Sequence, residues 1–252
     1  MKSKIDLLFS PAEYARLPET DLSTTTCVVF DILRATTTMT TALANGAQAL
    51  IPVAEIEEAV AWRRKDASIL LAGERGGRRI TADLSSGFEF DLGNSPREFT
   101  APRVAGRTIA ITTTNGTRAL RACAAAEHVW VGSFLGLSAL VNRLKREQPR
   151  HLLLVCSGTA EEASTEDTLA AGAFVAHLTE TYSHGKISDS AWMASDFYLR
   201  HESDLIGAMR FARNGRRLLA MDDLKDDVSC CLARDTVDFL VQMKHGKVER
   251  AS

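Results

Sequence analysis

Short runs that are apolar at every position alternate along the chain with longer segments whose apolar residues recur at helical spacing. Cys27-Val28-Val29-Phe30 and Leu152-Leu153-Leu154-Val155-Cys156 are the clearest runs, and strands of this kind are covered on both faces. The pattern predicts strands at 5–9, 27–31, 49–53, 68–72, 107–113, 128–131 and 151–156. Helices are predicted between them at about 36–45, 55–65, 117–126, 135–147 and 165–182. Asn45-Gly46 and Asn214-Gly215 read as helix C-terminal caps, where glycine tolerates the left-handed conformation. The stretch after Ser183 reads as mostly helical, with Asn214-Gly215 as its clearest breaker. Strands alternating with helices define an α/β protein, here a three-layer α/β/α arrangement around a largely parallel or mixed sheet. No proline-rich linker or internal repeat divides residues 1–252, so they read as one domain with room for two lobes.

Composition narrows the class. With 45% hydrophobic and 25% charged residues, the chain can bury a substantial core. Asp6 interrupts the place where a signal peptide would carry its apolar stretch, and no later run is long enough to span a bilayer, so a cytoplasmic location is expected. The five cysteines show no Cys-x-x-Cys spacing, which argues against zinc ribbons and disulfide frameworks. Cys27, Cys123 and Cys156 stand among apolar neighbours and read as small buried hydrophobes, and adjacent Cys230 and Cys231 read as packing residues. A net charge of -2 gives no general attraction for nucleic acid. The basic clusters at Arg63-Arg64-Lys65, Arg78-Arg79 and Arg216-Arg217 are balanced by nearby acids and read as solvated faces.

Ligands of open α/β sheets collect where strand carboxyl ends run into loops and helix N-termini, and four segments fit that description. In Val28-Val29-Phe30-Asp31-Ile32-Leu33-Arg34-Ala35-Thr36, a buried strand ends in an acid that can hold Mg²⁺ or attack phosphorus. Arg34 follows as a candidate phosphate partner. Spacing alone equally allows Asp31 to cap the next helix with Arg34 as its ion-pair partner. In Thr112-Thr113-Thr114-Asn115-Gly116-Thr117, a second strand ends in hydroxyls, an Asn-Gly turn and a helix start, the makings of an anion site. Leu71-Ala72-Gly73-Glu74-Arg75-Gly76-Gly77 delivers an acid and a base into a glycine-rich loop. Finally, Cys156-Ser157-Gly158 precedes Ser164-Thr165-Glu166-Asp167, whose acids also suit a helix first turn. Clustered oxygen ligands without His or Cys pairs favour Mg²⁺ over zinc.

The familiar phosphate and hydrolase signatures are absent: no Walker A loop, Gly-x-Gly-x-x-Gly fingerprint, His-Glu-x-x-His or Gly-x-Ser-x-Gly elbow occurs. Cys156 lacks the arginine that a cysteine phosphatase places shortly downstream. Instead, five ordered pieces resemble the 2-phosphosulfolactate phosphatase family. They are Asp31-Ile32-Leu33-Arg34-Ala35-Thr36-Thr37-Thr38 with Asn45-Gly46, Gly73-Glu74-Arg75-Gly76, Gly93-Asn94-Ser95-Pro96, Thr113-Thr114-Asn115-Gly116-Thr117, and Glu166-Asp167 with Ala171-Gly172. Asn214-Gly215-Arg216 and Asp226-Asp227-Val228 match more loosely, and the approach to Asn94 and Ser95 is longer by two residues than usual.

The resemblance implies a Mg²⁺-dependent phosphomonoesterase that hydrolyses esters of 2-hydroxycarboxylic acids, 2-phosphosulfolactate to sulfolactate and phosphate above all. In methanogens that reaction serves coenzyme M biosynthesis. It implies Asp31, Arg34, Glu74 and Arg75 as catalytic residues, and Asp31, Glu74, Glu166 and Asp167 as metal ligands. Thr36, Asn94, Ser95, Thr113, Thr114, Asn115, Gly116 and Thr117 are the implied substrate contacts. Arg75 or Arg34 is expected to take a second anion of the substrate. Two alternatives stay open: a haloacid-dehalogenase-type phosphatase, against which Leu33 stands where a second Asp belongs, and a non-catalytic binder of a phosphorylated metabolite. The expected partner is a small phosphate monoester rather than nucleic acid or membrane, and a homodimer is the commonest outcome for soluble oligomers.

Overall fold

The computed structural model describes residues 3–182 and 186–251. Its strands are β1 (Lys4–Leu8), β2 (Thr25–Phe30), β3 (Ala49–Val53), β4 (Leu70–Arg75), β5 (Arg78–Arg79), β6 (Thr108–Thr112), β7 (His128–Gly132), β8 (His151–Cys156), β9 (Val241–Lys244) and β10 (Lys247–Arg250). The helices are α1 (Pro11–Tyr14), α2 (Ala35–Ala44), α3 (Ile56–Lys65), α4 (Ala101–Val104), α5 (Gly116–Ala122), α6 (Leu137–Glu147), α7 (Thr165–Leu178), α8 (Asp189–His201), α9 (Leu205–Met209), α10 (Arg213–Leu219) and α11 (Lys225–Cys231). No described helix is long and apolar enough to cross a membrane.

The sheet order is β1-β8-β2-β7-β9-β10-β3-β6-β4-β5. β1, β8, β2 and β7 form one parallel block and β3, β6 and β4 another. The hairpin β9-β10 joins them through three antiparallel pairings, so the two blocks run in opposite senses. Alternate residues of both blocks nevertheless enter a single inner core: Cys27 and Val29 of β2 and Ile109 and Ile111 of β6 meet Met39 and Leu43 of α2 and Leu120 of α5. The sheet thus curls around α2 and α5. Twist of about 20–25° per strand, larger in a two-stranded ribbon, accumulates over the pairings from β2 to β6 to roughly 100° or more and turns the second block toward the first.

The outer face is covered separately on each block. Val28 and Phe30 of β2 and Leu152 and Leu154 of β8 pack against α6, α7 and α8, whereas Ile51 of β3 and Ala110 of β6 pack against Ala59 and Val60 of α3. Cys27, Cys123, Cys156 and Cys231 are buried among these side chains, and Cys230 is half-buried.

The predicted elements through residue 178 are present with shifted ends. β4 starts later than expected and continues through Glu74 and Arg75, because those residues pair with Arg79 and Arg78 of β5. The helix predicted to reach residue 182 ends at Leu178. Asn45 does terminate α2, with Gly46 at φ +87°. The same reading fails at Asn214-Gly215, which lies inside α10. An added Cβ at Gly215 would stand 2.3 Å from the Met209 carbonyl oxygen, so this glycine permits close packing rather than a helix end. The hairpin β9-β10 was not anticipated, although Val241, Met243 and Val248 are buried in alternation and His245-Gly246 supplies two positive φ values for a tight turn. The predicted start of the C-terminal helical stretch, at 183–185, lies outside the described residues.

The packing of α7 on α8 yields a stability test. An added Cβ at Gly172 would lie 2.0 Å from the Ala194 carbonyl oxygen. In an exposed helix, Gly→Ala stabilises by about 1 kcal/mol, but here the clash is with backbone that cannot rotate away. Gly172→Ala should therefore lower stability by about 1–3 kcal/mol in urea unfolding. An increase would show that the two helices separate readily.

Candidate active site

A cavity of about 250 Å³ lies where loops from both parallel blocks meet. Asp31 enters it from the end of β2, Glu74 from β4, Thr113, Thr114 and Asn115 from the loop after β6, and Glu166 and Asp167 from the first turn of α7. Arg34 and Asn94 complete the set of expected residues on its wall. Four carboxylates against the guanidinium groups of Arg34 and Arg217 leave a formal excess of two negative charges.

Neighbouring donors decide what each acid is free to do. Asp31 Oδ1 accepts the Ala35 N–H at 3.1 Å, so the residue does cap the start of α2. Its other oxygen is pressed against Gly116, where an added Cβ would stand 2.6 Å from it. The donors at the start of α5 are used internally: the Gly116 N–H favours the Asp31 carboxylate, and the Thr117 N–H faces Thr113 Oγ1 at 3.4 Å. The anion at this helix terminus is the protein's own.

Glu74 binds two loops together. One oxygen accepts from the Thr114 N–H and hydroxyl at 3.0 and 2.8 Å, and the other accepts from the Gly77 N–H at 2.6 Å. Asp167 does the same between β2 and β8, accepting from the Ile32 N–H at 2.8 Å, Ser164 Oγ at 2.6 Å, Ser157 Oγ at 3.0 Å and the Gly158 N–H at 3.2 Å. Glu166 differs: Oε1 accepts from Asn214 Nδ2 at 2.6 Å, while Oε2 is buried without a partner. Asn94 Oδ1 and Asn115 Oδ1 are likewise buried without a donor. All three orphans are oxygen acceptors of cavity-lining residues, the chemistry that a hard cation or a hydroxyl-bearing ligand completes.

Electrostatics match this geometry. Burial pushes Asp31 up to about 6, with the Glu74 charge adding to it and the Ala35 and Gly116 N–H groups and Ser157 hydroxyl opposing. Burial also raises Glu166, opposed by the Asn214 amide and reinforced by Asp31. Asp167 is held well above the usual carboxylate range by burial and then by Asp31 and Glu166, against the Ser164 and Ile32 donors. Among the described residues no three His, Cys, Asp or Glu side chains are grouped to hold a metal by themselves.

The arginine and hydroxyl assignments change. Arg34 does not pair with Asp31. Its Nη1 donates to Asp227 at 2.7 Å and its Nη2 to the Gly77 carbonyl at 2.7 Å, with Arg34 3% and Asp227 0% exposed. Two of its five donors are thereby used. Arg75 turns away from the cavity to the Glu74 carbonyl and Thr112 Oγ1 at 2.7 and 3.0 Å. Thr36 is fully buried, its hydroxyl bound to the backbone of Asp31. Ser95 donates to Asp227 at 2.6 Å, and the Thr117 hydroxyl to the Thr113 carbonyl at 3.0 Å. Arg75, Thr36, Ser95, Gly116 and Thr117 therefore support the wall without lining it.

The structure adds lining residues beyond the implied catalytic, metal and substrate sets. Gly77, Gly158 and Thr159 line the cavity, as do Asn214, Arg217 and Leu218 of α10. The last three recur at i, i+3 and i+4, one face of a helix. Asn214 ties that face to Glu166 and to Thr159 Oγ1, each at 2.6 Å.

Residues 12–246 match the family described as 2-phosphosulpholactate phosphatase. The chain belongs to that family. Proteins carrying the name "Probable 2-phosphosulfolactate phosphatase" resemble it nearly end to end. That of Caldicellulosiruptor saccharolyticus is 33% identical, covering 95% of this chain and 97% of its own. That of Caldanaerobacter subterraneus subsp. tengcongensis is 38% identical over 93% and 94%, and that of Synechococcus sp. (strain CC9605) 36% over 94% and 96%. Family membership covers the C-terminal segment too, including α10 and Asp227.

The raised Asp31 gives a pH test. A carboxyl whose folded value is about 6 against an ordinary 3.8 holds its proton more tightly folded than unfolded. Stability is then lost as pH rises through that window and the loss is complete above about 6, at up to about 1.4 kcal/mol per pH unit. Without divalent cations, the stability of wild type relative to Asp31→Asn should fall between pH 4 and 6.5 in urea unfolding. A difference that rises over this range would mean that Asp31 is stabilised as the anion.

Proposed function

We propose that this protein is a Mg²⁺-dependent phosphomonoesterase acting on phosphate esters of 2-hydroxycarboxylic acids, with 2-phosphosulfolactate yielding sulfolactate and phosphate as the leading case. The observation that carries the reading is one cavity in which acids with an excess negative charge and unpartnered oxygen acceptors face the fixed guanidinium group of Arg34. Membership in a phosphatase family supports the same class of reaction.

The residues present suit Mg²⁺ unequally. Asp31 and Glu166 are the ligands of choice, because Glu166 has a buried oxygen with no partner and Asp31, a cavity-lining carboxylate, acts on it electrostatically. Glu74 and Asp167 keep their loops in register through their donors. When bound, the ion supplies positive charge that ionises these acids, offsets their repulsion of an incoming dianion and polarises the phosphoryl oxygens.

Arg34 orients the phosphate with the donors that Asp227 and Gly77 leave free, and its position changes little on binding because both partners hold it. Asn94 and Asn115 present amide oxygens without a donor, suited to accept from water or to face a hard cation. In this reading Asp31, itself one of the two ion ligands and pressed against Gly116, attacks phosphorus or orients the attacking water. Leu33, where a haloacid-dehalogenase-type enzyme has its acid, lines the cavity as an apolar side chain. The reading carries a small-molecule partner, a cytoplasmic location and a homodimeric assembly.

The decisive experiment measures phosphate release from a series of 2-phospho-hydroxycarboxylates with Mg²⁺ and with chelator. Turnover should require Mg²⁺, and Asp31→Asn should lower kcat by roughly a hundredfold or more in a folded protein. Asn retains the oxygen that caps Ala35, so the helix start survives. Near-normal turnover by Asp31→Asn would remove Asp31 from the chemistry, and a binder without hydrolysis would release no phosphate under any condition.

A further inference from the structure

The cavity holds two guanidinium groups in different electrostatic states. Arg34 is buried, its charge met by a buried carboxylate at 2.7 Å. Arg217 is exposed at the rim and, among the described residues, pairs with no carboxylate. Its helix neighbours behave otherwise: Arg213 pairs with Glu162 at 2.9 Å, and Arg216 donates to the Phe211 carbonyl at 2.5 Å. Arg217 is nonetheless placed. Its guanidinium lies against the α-carbon of Gly77, so closely that an added Cβ there would meet Nη2 at 3.1 Å and Cζ at 3.4 Å. Gly77, at φ +81°, also gives its carbonyl to Arg34 and its N–H to Glu74. One glycine thus sets both arginines on the same side of the cavity, with Arg34 deep and Arg217 outside it.

From this geometry we infer that Arg217 is the specificity-determining residue that takes a second anionic group of the substrate, a carboxylate or sulfonate borne by the alcohol portion of the ester. The assignment rests on the phosphomonoesterase reading. Phosphate belongs at depth, beside Arg34 and the acids. The alcohol portion then projects toward the rim, where the first positive charge without an internal counter-ion is Arg217. Arg75 cannot serve, since its guanidinium is committed to Glu74, Thr112 and Ala54 outside the cavity. A planar, bidentate guanidinium with an uncommitted charge suits an oxyanion, and a rim position contacts substrate without touching the bond that breaks.

The test compares two probes, 2-phosphoglycolate, which carries the second anion, and ethyl phosphate, which lacks it. Wild type should prefer 2-phosphoglycolate by tenfold or more in kcat/KM. Arg217→Met, which keeps an apolar stem, should lose at least tenfold on 2-phosphoglycolate, mainly through KM, and leave ethyl phosphate unchanged. Arg217→Lys should recover part of the loss. Equal losses on both probes, or no loss on 2-phosphoglycolate, would overturn the assignment. If wild type releases phosphate from neither probe, the phosphatase reading is decided separately by the 2-phospho-hydroxycarboxylate series. Titration calorimetry of the same probes then decides the assignment: Arg217→Met must weaken binding of 2-phosphoglycolate at least tenfold and leave ethyl phosphate unaffected, and any other result rejects it.

Discussion

Four carboxylates brought out of water into one cavity repel each other, and most of the local structure near the site follows from how that repulsion is contained. Burying a carboxylate without partners is costly enough that the group normally takes up a proton instead. Here the cost is reduced by neutral donors supplied by the loops themselves. Asp167 collects two hydroxyls and two backbone N–H groups, and Glu74 collects a hydroxyl and two. Those donors are the loops after β2, β4, β6 and β8, so containing the charge and fixing the loops are one process. Glu166 is the exception with an unmatched oxygen, and it sits where ligand chemistry requires an open position.

The sheet determines which loops can share this charge. Three antiparallel pairings through β9 and β10 reverse the second parallel block, and a flat sheet would place the end of β2 far from the end of β6. Curling about α2 and α5 brings Gly116 onto Asp31 instead. The last strands of the chain therefore set the relation between two blocks that hold the site, even though neither strand contributes a residue to it.

Much of this was legible in the sequence, for identifiable reasons. Asp31, Thr113 and Asn115 follow strands, and Glu74 lies near the end of one, whose apolar runs are unmistakable, so their place at carboxyl ends could be read directly. Thr36, Ser95 and Thr117 show what the sequence hides: a hydroxyl after a strand can face a ligand or satisfy nearby backbone, and here each has a protein partner. Arg34 and Asp227 are 193 positions apart, and no local pattern announces such a pair. Arg217 lay in a cluster read as a solvated face. That reading holds for Arg216, whereas Arg217 occupies the cavity face that only the i, i+3, i+4 alignment with Asn214 and Leu218 reveals.

The contrast between Arg34 and Arg217 carries the electrostatic logic of the site further. A buried ion pair such as Arg34–Asp227 is weak evidence for stability, because the two desolvation costs offset most of the attraction. Its value lies in position: Asp227 also receives Ser95 and Arg97, so the Asn94–Ser95 loop, α11 and the β2 exit are fixed about one carboxylate. An arginine so held can present its remaining donors with little reorganisation, but its charge is largely matched before any ligand arrives. An arginine left without a counter-ion has the opposite properties, an unmatched charge and more freedom to adjust. A rigid, internally paired cation suits the constant part of a family of esters, and an unpaired one suits the part that distinguishes one ester from another.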